Sequence, residues 1–245
     1  MPELWVAHLG LRRYAEILDL QRAAAAARIT GDIPQDLLLL VEHPPVVTLG
    51  RAARDESHLT ASAELLAARG VERFDVERGG DVTFHGPGQL VGYPIIDLSR
   101  HRRDLHWYLR QLEALLIRAL GTLGIDAQRN AGLTGVWTSG RKIASIGVHT
   151  RQWVTWHGFA LNVTTDLSYF DLMVPCGIRG VTMTSVEQEL LRRADGTCLA
   201  ASPTLGQDTE RAVITSAAQT FGLEPVEIDV FMLPSLHALA SPAPI

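Results

Sequence analysis

Apolar residues recur along this chain in two rhythms, and the changes of rhythm mark the elements. Residues 36–42 form a nearly continuous apolar run too short for a helix, which predicts a strand buried on both faces. Shorter extended runs at 5–9, 46–49, 72–76, 81–84 and 90–96 predict more strands, interrupted by His43-Pro44-Pro45 and by glycines. From 104 to 123 the period lengthens. Leu105, Leu109, Leu112, Leu116 and Leu120 fall three or four apart, which predicts an amphipathic helix with one core-facing stripe. Helices are also predicted at 11–28, at 61–68 (ending at Gly70), at 184–193, where Ser185 and Gln188 form a capping box, and at 208–221. Strands at 135–137, 142–149 and 153–162 lie between them, with turns at Ser139-Gly140 and near Thr150-Arg151. Residues 233–245, rich in Pro, Ser and Ala, read as a frayed tail. With no internal repeat or linker, the expectation is a single α+β domain over 1–232, its mixed or antiparallel sheet flanked by helices.

A formal charge of -5 argues against general nucleic-acid binding. The longest apolar runs are too short to span a bilayer, and no basic segment leads an apolar stretch at the amino terminus, so no membrane role is expected. Two cysteines in unlike surroundings, Cys176 and Cys198, suggest a reducing, cytoplasmic setting without disulfides. The cations change the picture more. Of 22 lysines and arginines, one is a lysine, Lys142. Genome bias explains the arginines but leaves the exception. Arginine stays protonated at any working pH, so a site needing an amine that can lose its proton cannot use it.

Three segments could carry chemistry. Residues 78–89 pack four glycines, a proline, Arg78 and His85 into twelve positions, a density that lets backbone approach a ligand closely. They match neither a phosphate loop nor the dinucleotide fingerprint, and two ordinary hairpin turns would explain them equally well. Cys176 stands between Pro175 and Gly177 at the end of an apolar run, a context that favours a reactive thiol, whereas Cys198 near a polar turn reads as incidental. Strand alternation from Lys142 puts Lys142, Ala144 and Ile146 on one face. The segment 156–162 could line the same pocket, with His157 read as structural. The histidines lack metal-ligand spacing, so no metal site is expected.

Taken together, Glu42-His43-Pro44-Pro45-Val46, the 78–89 block, Gly135-Val136-Trp137, residues 142–147, residues 157–162 and Pro175-Cys176-Gly177 resemble the lipoyl(octanoyl) transferases. Several independent motifs in one order make the resemblance specific over about residues 4–190. It implies the fold of lipoate and biotin protein ligases and an acyltransferase without a cofactor. By the same resemblance, Cys176 would carry an octanoyl group as a thioester, with Lys142 as its catalytic partner. Substrate-lining positions would be Arg78, Gly79, Gly80, Asp81, Val82, Thr83, Phe84 and His85, with Ser145, Ile146, Gly147, Gly158, Phe159 and Ala160. The implied donor is octanoyl-acyl carrier protein. The implied acceptors are lipoyl domains of 2-oxoacid dehydrogenase complexes and the glycine cleavage H protein.

Physical chemistry is compatible with those roles. Thiolate, not thiol, is the nucleophile, and an ammonium beside it favours the charged form. An octanoyl chain has about six methylenes, so full burial is worth up to ~5 kcal/mol, enough for an apolar tunnel to select chain length. Carrier proteins and lipoyl domains are generally acidic, so docking calls for a basic patch. Arg100, Arg102, Arg103, Arg141 and Arg179 are the candidates from sequence. An ATP-dependent lipoate ligase on the same fold is the nearest rival, but it needs no cysteine. A non-catalytic module would not need the Lys–Cys pair, and no papain-like signature surrounds Cys176.

Overall fold

A computed structural model describes residues 1–53, 58–178, 180–192 and 202–239. Eleven strands among these form two sheets: β1 (Glu3–Leu11), β2 (Asp36–Glu42), β3 (Val46–Leu49), β4 (Glu72–Asp75), β5 (Val82–His85), β6 (Gln89–Ile95), β7 (Gln128–Asn130), β8 (Leu133–Thr138), β9 (Arg141–Arg151), β10 (Val154–Asn162) and β11 (Glu224–Glu227). The larger sheet runs β11-β1-β2-β6-β10-β9-β8-β7, and the smaller β4-β3-β5. β1 is parallel to both its neighbours, and every other pair in the large sheet is antiparallel, giving the mixed sheet expected.

Helices α1 (Tyr14–Thr30), α2 (Ala63–Ala68), α3 (Leu105–Thr122), α4 (Val186–Leu191) and α5 (Leu205–Phe221) complete the α+β architecture. The large sheet is covered on both faces, which explains the unbroken apolar run in β2. Leu38 and Leu40 pack toward Leu112, Leu116 and Val213 of α3 and α5. Leu37 and Leu39 pack toward Ile17, Leu20 and Ala24 of α1. The leucine stripe of α3 is core as predicted: Leu112, Leu116 and Leu120 are fully buried.

The structure departs from the pattern at the start of α1, at two edge strands and near residue 236. The helix expected from residue 11 starts at Tyr14, because Leu11 still pairs with Glu42 and Arg12 N–H donates to Glu42 O. Strands β7 and β11 carry no apolar alternation, being short and mostly exposed at the two edges of the sheet. The C-terminal segment read as loose from 233 carries Leu236, fully buried in the core beside α1; residues 240–245 lie outside the described residues.

Candidate active site

Lys142 sits near the start of β9, and its backbone is held from two sides. On one side Trp137 of β8 pairs with it; on the other its N–H donates to Thr182 O and its carbonyl accepts from Thr184 N–H, both at 2.9 Å. Residues 182–184 thus continue the sheet where β10 has ended. The β8–β9 register then slips: Trp137 faces Lys142 but Val136 faces Ala144, leaving Ile143 as the extra residue of a bulge. A bulge reverses the alternation, and this corrects the expectation that Lys142 shares a face with Ala144. Lys142 instead shares the side of Ser145, and both reach the same sulfur: Nζ lies 3.0 Å and the Ser145 hydroxyl 3.7 Å from Cys176 Sγ.

Lys142 is almost fully buried, its Nζ 5.5 Å from the Trp137 ring centroid. Its slot exists because residue 135 is glycine. At φ 129° a Cβ there would stand 2.7 Å from Ala144 O and 2.9 Å from Lys142 Cε. Gly135→Ala should therefore cost about 1–3 kcal/mol through backbone strain and overpacking. Urea unfolding measures that cost, and activity should fall further than the stability loss explains, because Lys142 must shift.

Cys176 occupies a single 3-10 turn, Pro175–Gly177, in left-handed backbone (φ 56°, ψ 22°). Such a conformation is costly for a residue with a side chain and persists only where surroundings impose it. Here Val174 N–H donates to His58 O at 2.7 Å, and Thr60 and Ala61 N–H both donate to Leu172 O. Gly177 (φ 69°) then lies on a side-chain pair, His58 Nδ1 to Asp81 Oδ2 at 2.8 Å; a Cβ would approach both within 3.0 Å. The sequence reading did not single out His58. Cys198 and Arg179 lie outside the described residues.

Cys176 borders a cavity of about 240 Å³ between β9, β10 and the glycine-rich segment. From that segment Arg78, Gly80, Asp81, Thr83 and His85 face it; Gly79, Val82 and Phe84 do not. Alternation along β5 explains two of the three, since Val82 and Phe84 turn into the core of the small sheet, where Phe84 stacks on Tyr169. Gly79 instead fastens the segment to β9: its N–H donates to Val148 O at 2.8 Å, and its carbonyl would meet any Cβ at Gly147. Ser145, Ile146 and Gly147 of β9 and Gly158, Phe159 and Ala160 of β10 also line the space.

Arg78 is buried and donates to the Thr48 carbonyl (2.7 Å) and hydroxyl (2.9 Å), a fixed wall of the cavity. Burial pulls its pKa below the ordinary arginine value.

Tyr14, Tyr93 and His157 also line the cavity; the sequence reading passed over both tyrosines and took His157 as structural within a segment that could line the pocket. They come from α1, β6 and β10, elements that meet only in the folded chain. Behind them His43 Nδ1–H donates to Arg12 O, and the Tyr93 hydroxyl donates to His43 Nε2, both at 2.8 Å. His85 donates to Gln89 Oε1, Gln89 to Asn162 Oδ1, and Asn162 to Thr184 O, whose N–H holds the Lys142 carbonyl. A buried polar chain therefore runs from the cavity wall to the backbone of Lys142.

Burial pushes His43 down to about 4 and, with His43 adding to the effect, His85 to about 3. A histidine depressed in the fold takes its proton first in the unfolded chain. Its stabilising share is therefore full above about pH 6.5 and falls as pH drops toward 4, by ~1.4 kcal/mol per unit per histidine. Urea midpoints between about pH 7 and pH 4 should fall accordingly, and His43→Gln should flatten the slope.

Of the arginines expected to dock a partner, Arg100, Arg102, Arg103 and Arg141 lie among the described residues. Arg100 and Arg102 pair with Asp97 and Asp104, and Arg141 makes a bidentate pair with Glu189. Asp97 bridges to Val154, the first residue of β10, whereas Leu161 at its far end faces Ala144 beside Lys142. Seven strand steps, about 24 Å, separate them. Among the described residues no three His, Cys, Asp or Glu side chains form a metal-binding group, and no helix is long and apolar enough to cross a membrane.

The model of the lipoyl protein ligase A/B catalytic domain matches residues 13–197. An octanoyltransferase of Rubrobacter xylanophilus is 56% identical over 184 residues, covering 75% of this chain and 82% of that one. An octanoyltransferase of Acidobacterium capsulatum is 50% identical over 228 residues, 88% of this chain and 87% of its own. Among solved structures, lipoate-protein ligase A bound with ATP superposes with a TM-score of 0.70 at 16% identity, covering 98% of this chain and 92% of that one. A bi-partite lipoate protein ligase of Thermoplasma acidophilum gives 0.69 at 18%, covering 98% and 91%. At those identities the solved structures establish the lipoate-ligase fold and no more. The family model over most of the length, together with relatives at half identity or better, establishes more: the chain belongs to the lipoyl(octanoyl) transferases and is an acyltransferase of protein lipoylation.

Proposed function

We propose that the chain moves an octanoyl group from octanoyl-acyl carrier protein to a lysine of lipoyl domains through a thioester on Cys176. One observation carries this reading: Lys142 Nζ lies 3.0 Å from Cys176 Sγ, at the edge of a cavity sized for a small ligand. The cycle starts from Cys176 thiolate beside Lys142 ammonium. Sulfur attacks the donor carbonyl, the carrier's thiolate leaves, and Lys142 gives it a proton, becoming a neutral amine. An acceptor amine then attacks the Cys176 thioester; its surplus proton passes to Lys142 as the Cys176 thiolate leaves. The pair is thereby restored, and the product is an amide. Arg78, His85 and the β9–β10 glycines form the acyl-binding wall. The acceptors are lipoyl domains of 2-oxoacid dehydrogenase complexes and the glycine cleavage H protein, the compartment is the cytoplasm, and a single catalytic domain runs past 232 to include Leu236 in its core.

Incubation with octanoyl-acyl carrier protein and no acceptor should add one octanoyl mass, removable by hydroxylamine, in intact-protein mass spectrometry. A thioester is already activated, so transfer should need neither ATP nor magnesium. The ligase reading has the fold in its favour, since one structural relative is bound with ATP. Strict ATP dependence with free octanoate would decide for it.

A further inference from the structure

Although the chain carries a formal charge of -5, one face beside the site is positive. On α3 the exposed charged side chains are Arg110 and Arg118; its one carboxylate, Glu113, is buried. Their eight-residue spacing keeps the two arginines on the outward side of the helix. Next to Arg110 stands Arg129 of β7, and both donate to the same Glu113 oxygen, at 2.6 and 2.9 Å. Two guanidiniums thus share one carboxylate, and each stays about half exposed with donors left for solvent.

That cluster is tied to the reaction centre. The other Glu113 oxygen accepts from Gly135 N–H at 3.3 Å, and Gly135 is the residue that makes room for Lys142. Three residues beyond Arg129, Gly132 and the start of β8 at Leu133 and Thr134 line the cavity that Cys176 borders. The arginine cluster therefore flanks a part of the cavity lining that is shared with Cys176.

We propose that Arg110, Arg118 and Arg129 form the docking face for the acidic carrier protein that delivers the acyl group, a proposal that rests on the two-transfer reading above. Charges of this kind act on encounter and on the apparent affinity for the partner, leaving the chemical step alone. The acceptor's lysine needs only to reach a thioester already formed and is not assigned to this face.

Arg118→Gln and Arg129→Gln, singly and together, test the idea, with Arg110 left in place so that buried Glu113 keeps a partner. Acylation of Cys176 is measured with the carrier-bound donor and with octanoyl-pantetheine, which bears no acidic protein, over a salt series. Each substitution should raise KM for the carrier-bound donor about two- to fivefold, leave kcat unchanged, weaken the salt dependence, and leave octanoyl-pantetheine kinetics as in wild type. Arg211→Gln on α5 should change nothing. Unchanged KM for the carrier-bound donor, with octanoyl-pantetheine acylating normally, overturns the docking face alone. So does an equal loss with both donors, or a KM effect confined to the acceptor. Failure of the wild-type protein to take octanoyl from either donor overturns the two-transfer reading itself, and the docking face with it.

Discussion

Cys176→Ala should lose octanoyl transfer by roughly 10⁴–10⁶-fold while remaining folded, because removing a covalent nucleophile removes the intermediate itself. Cys176 is only partly buried and its turn is held by backbone bonds from 58–61, so the smaller side chain leaves the loop in place. Thermal unfolding should therefore change little. The octanoyl adduct should vanish from the mass spectrum, while Cys198→Ala should form it as wild type does. An adduct persisting in Cys176→Ala would place the acyl group on another side chain and end the proposed mechanism.

Lys142→Arg should lose about 10²–10⁴ in overall rate, the usual worth of general acid–base help, because guanidinium cannot give up its proton. The two half-reactions should divide unequally. Forming the thioester needs chiefly a charge beside the sulfur, and the carrier's thiolate is a fair leaving group without a proton. Amide formation requires the attacking amine to lose one, so transfer to the acceptor should suffer more. The slot bounded by Gly135 and Trp137 is tight, so thermal unfolding is measured alongside to separate misfit from chemistry. A stable Lys142→Arg protein with near-normal transfer would reduce Lys142 to an electrostatic partner.

Much of this was legible before folding. The continuous run of β2 and the three-and-four spacing on α3 carry their burial in the sequence, because each face they show to the core is apolar. Lys142 was legible through being the one lysine, and Cys176 through its Pro-Gly setting. β7 and β11 were not, since edge strands paired by backbone on one side need no apolar signature. Nor was the bulge at Ile143, which depends on how β8 and β9 slide and leaves no mark in the side chains. The part of the wall formed by Tyr14 and Tyr93 was hidden for another reason: it is assembled from positions far apart in the chain, each of which alone reads as ordinary core.

The backbone bonds from Lys142 to Thr182 and Thr184 also bear on how the protein comes into being. As the chain leaves the ribosome, Lys142 emerges well before the residues that fix it, and Cys176 emerges only shortly before them. A nascent chain that ends short of Thr184 carries the cavity-lining strands but lacks the segment that clamps Lys142. Under the proposed mechanism the nucleophile is therefore switched on only when 182–184 take their place beside β9. Incomplete chains should be inert toward thioesters, and truncated proteins should not trap acyl groups meant for the finished enzyme.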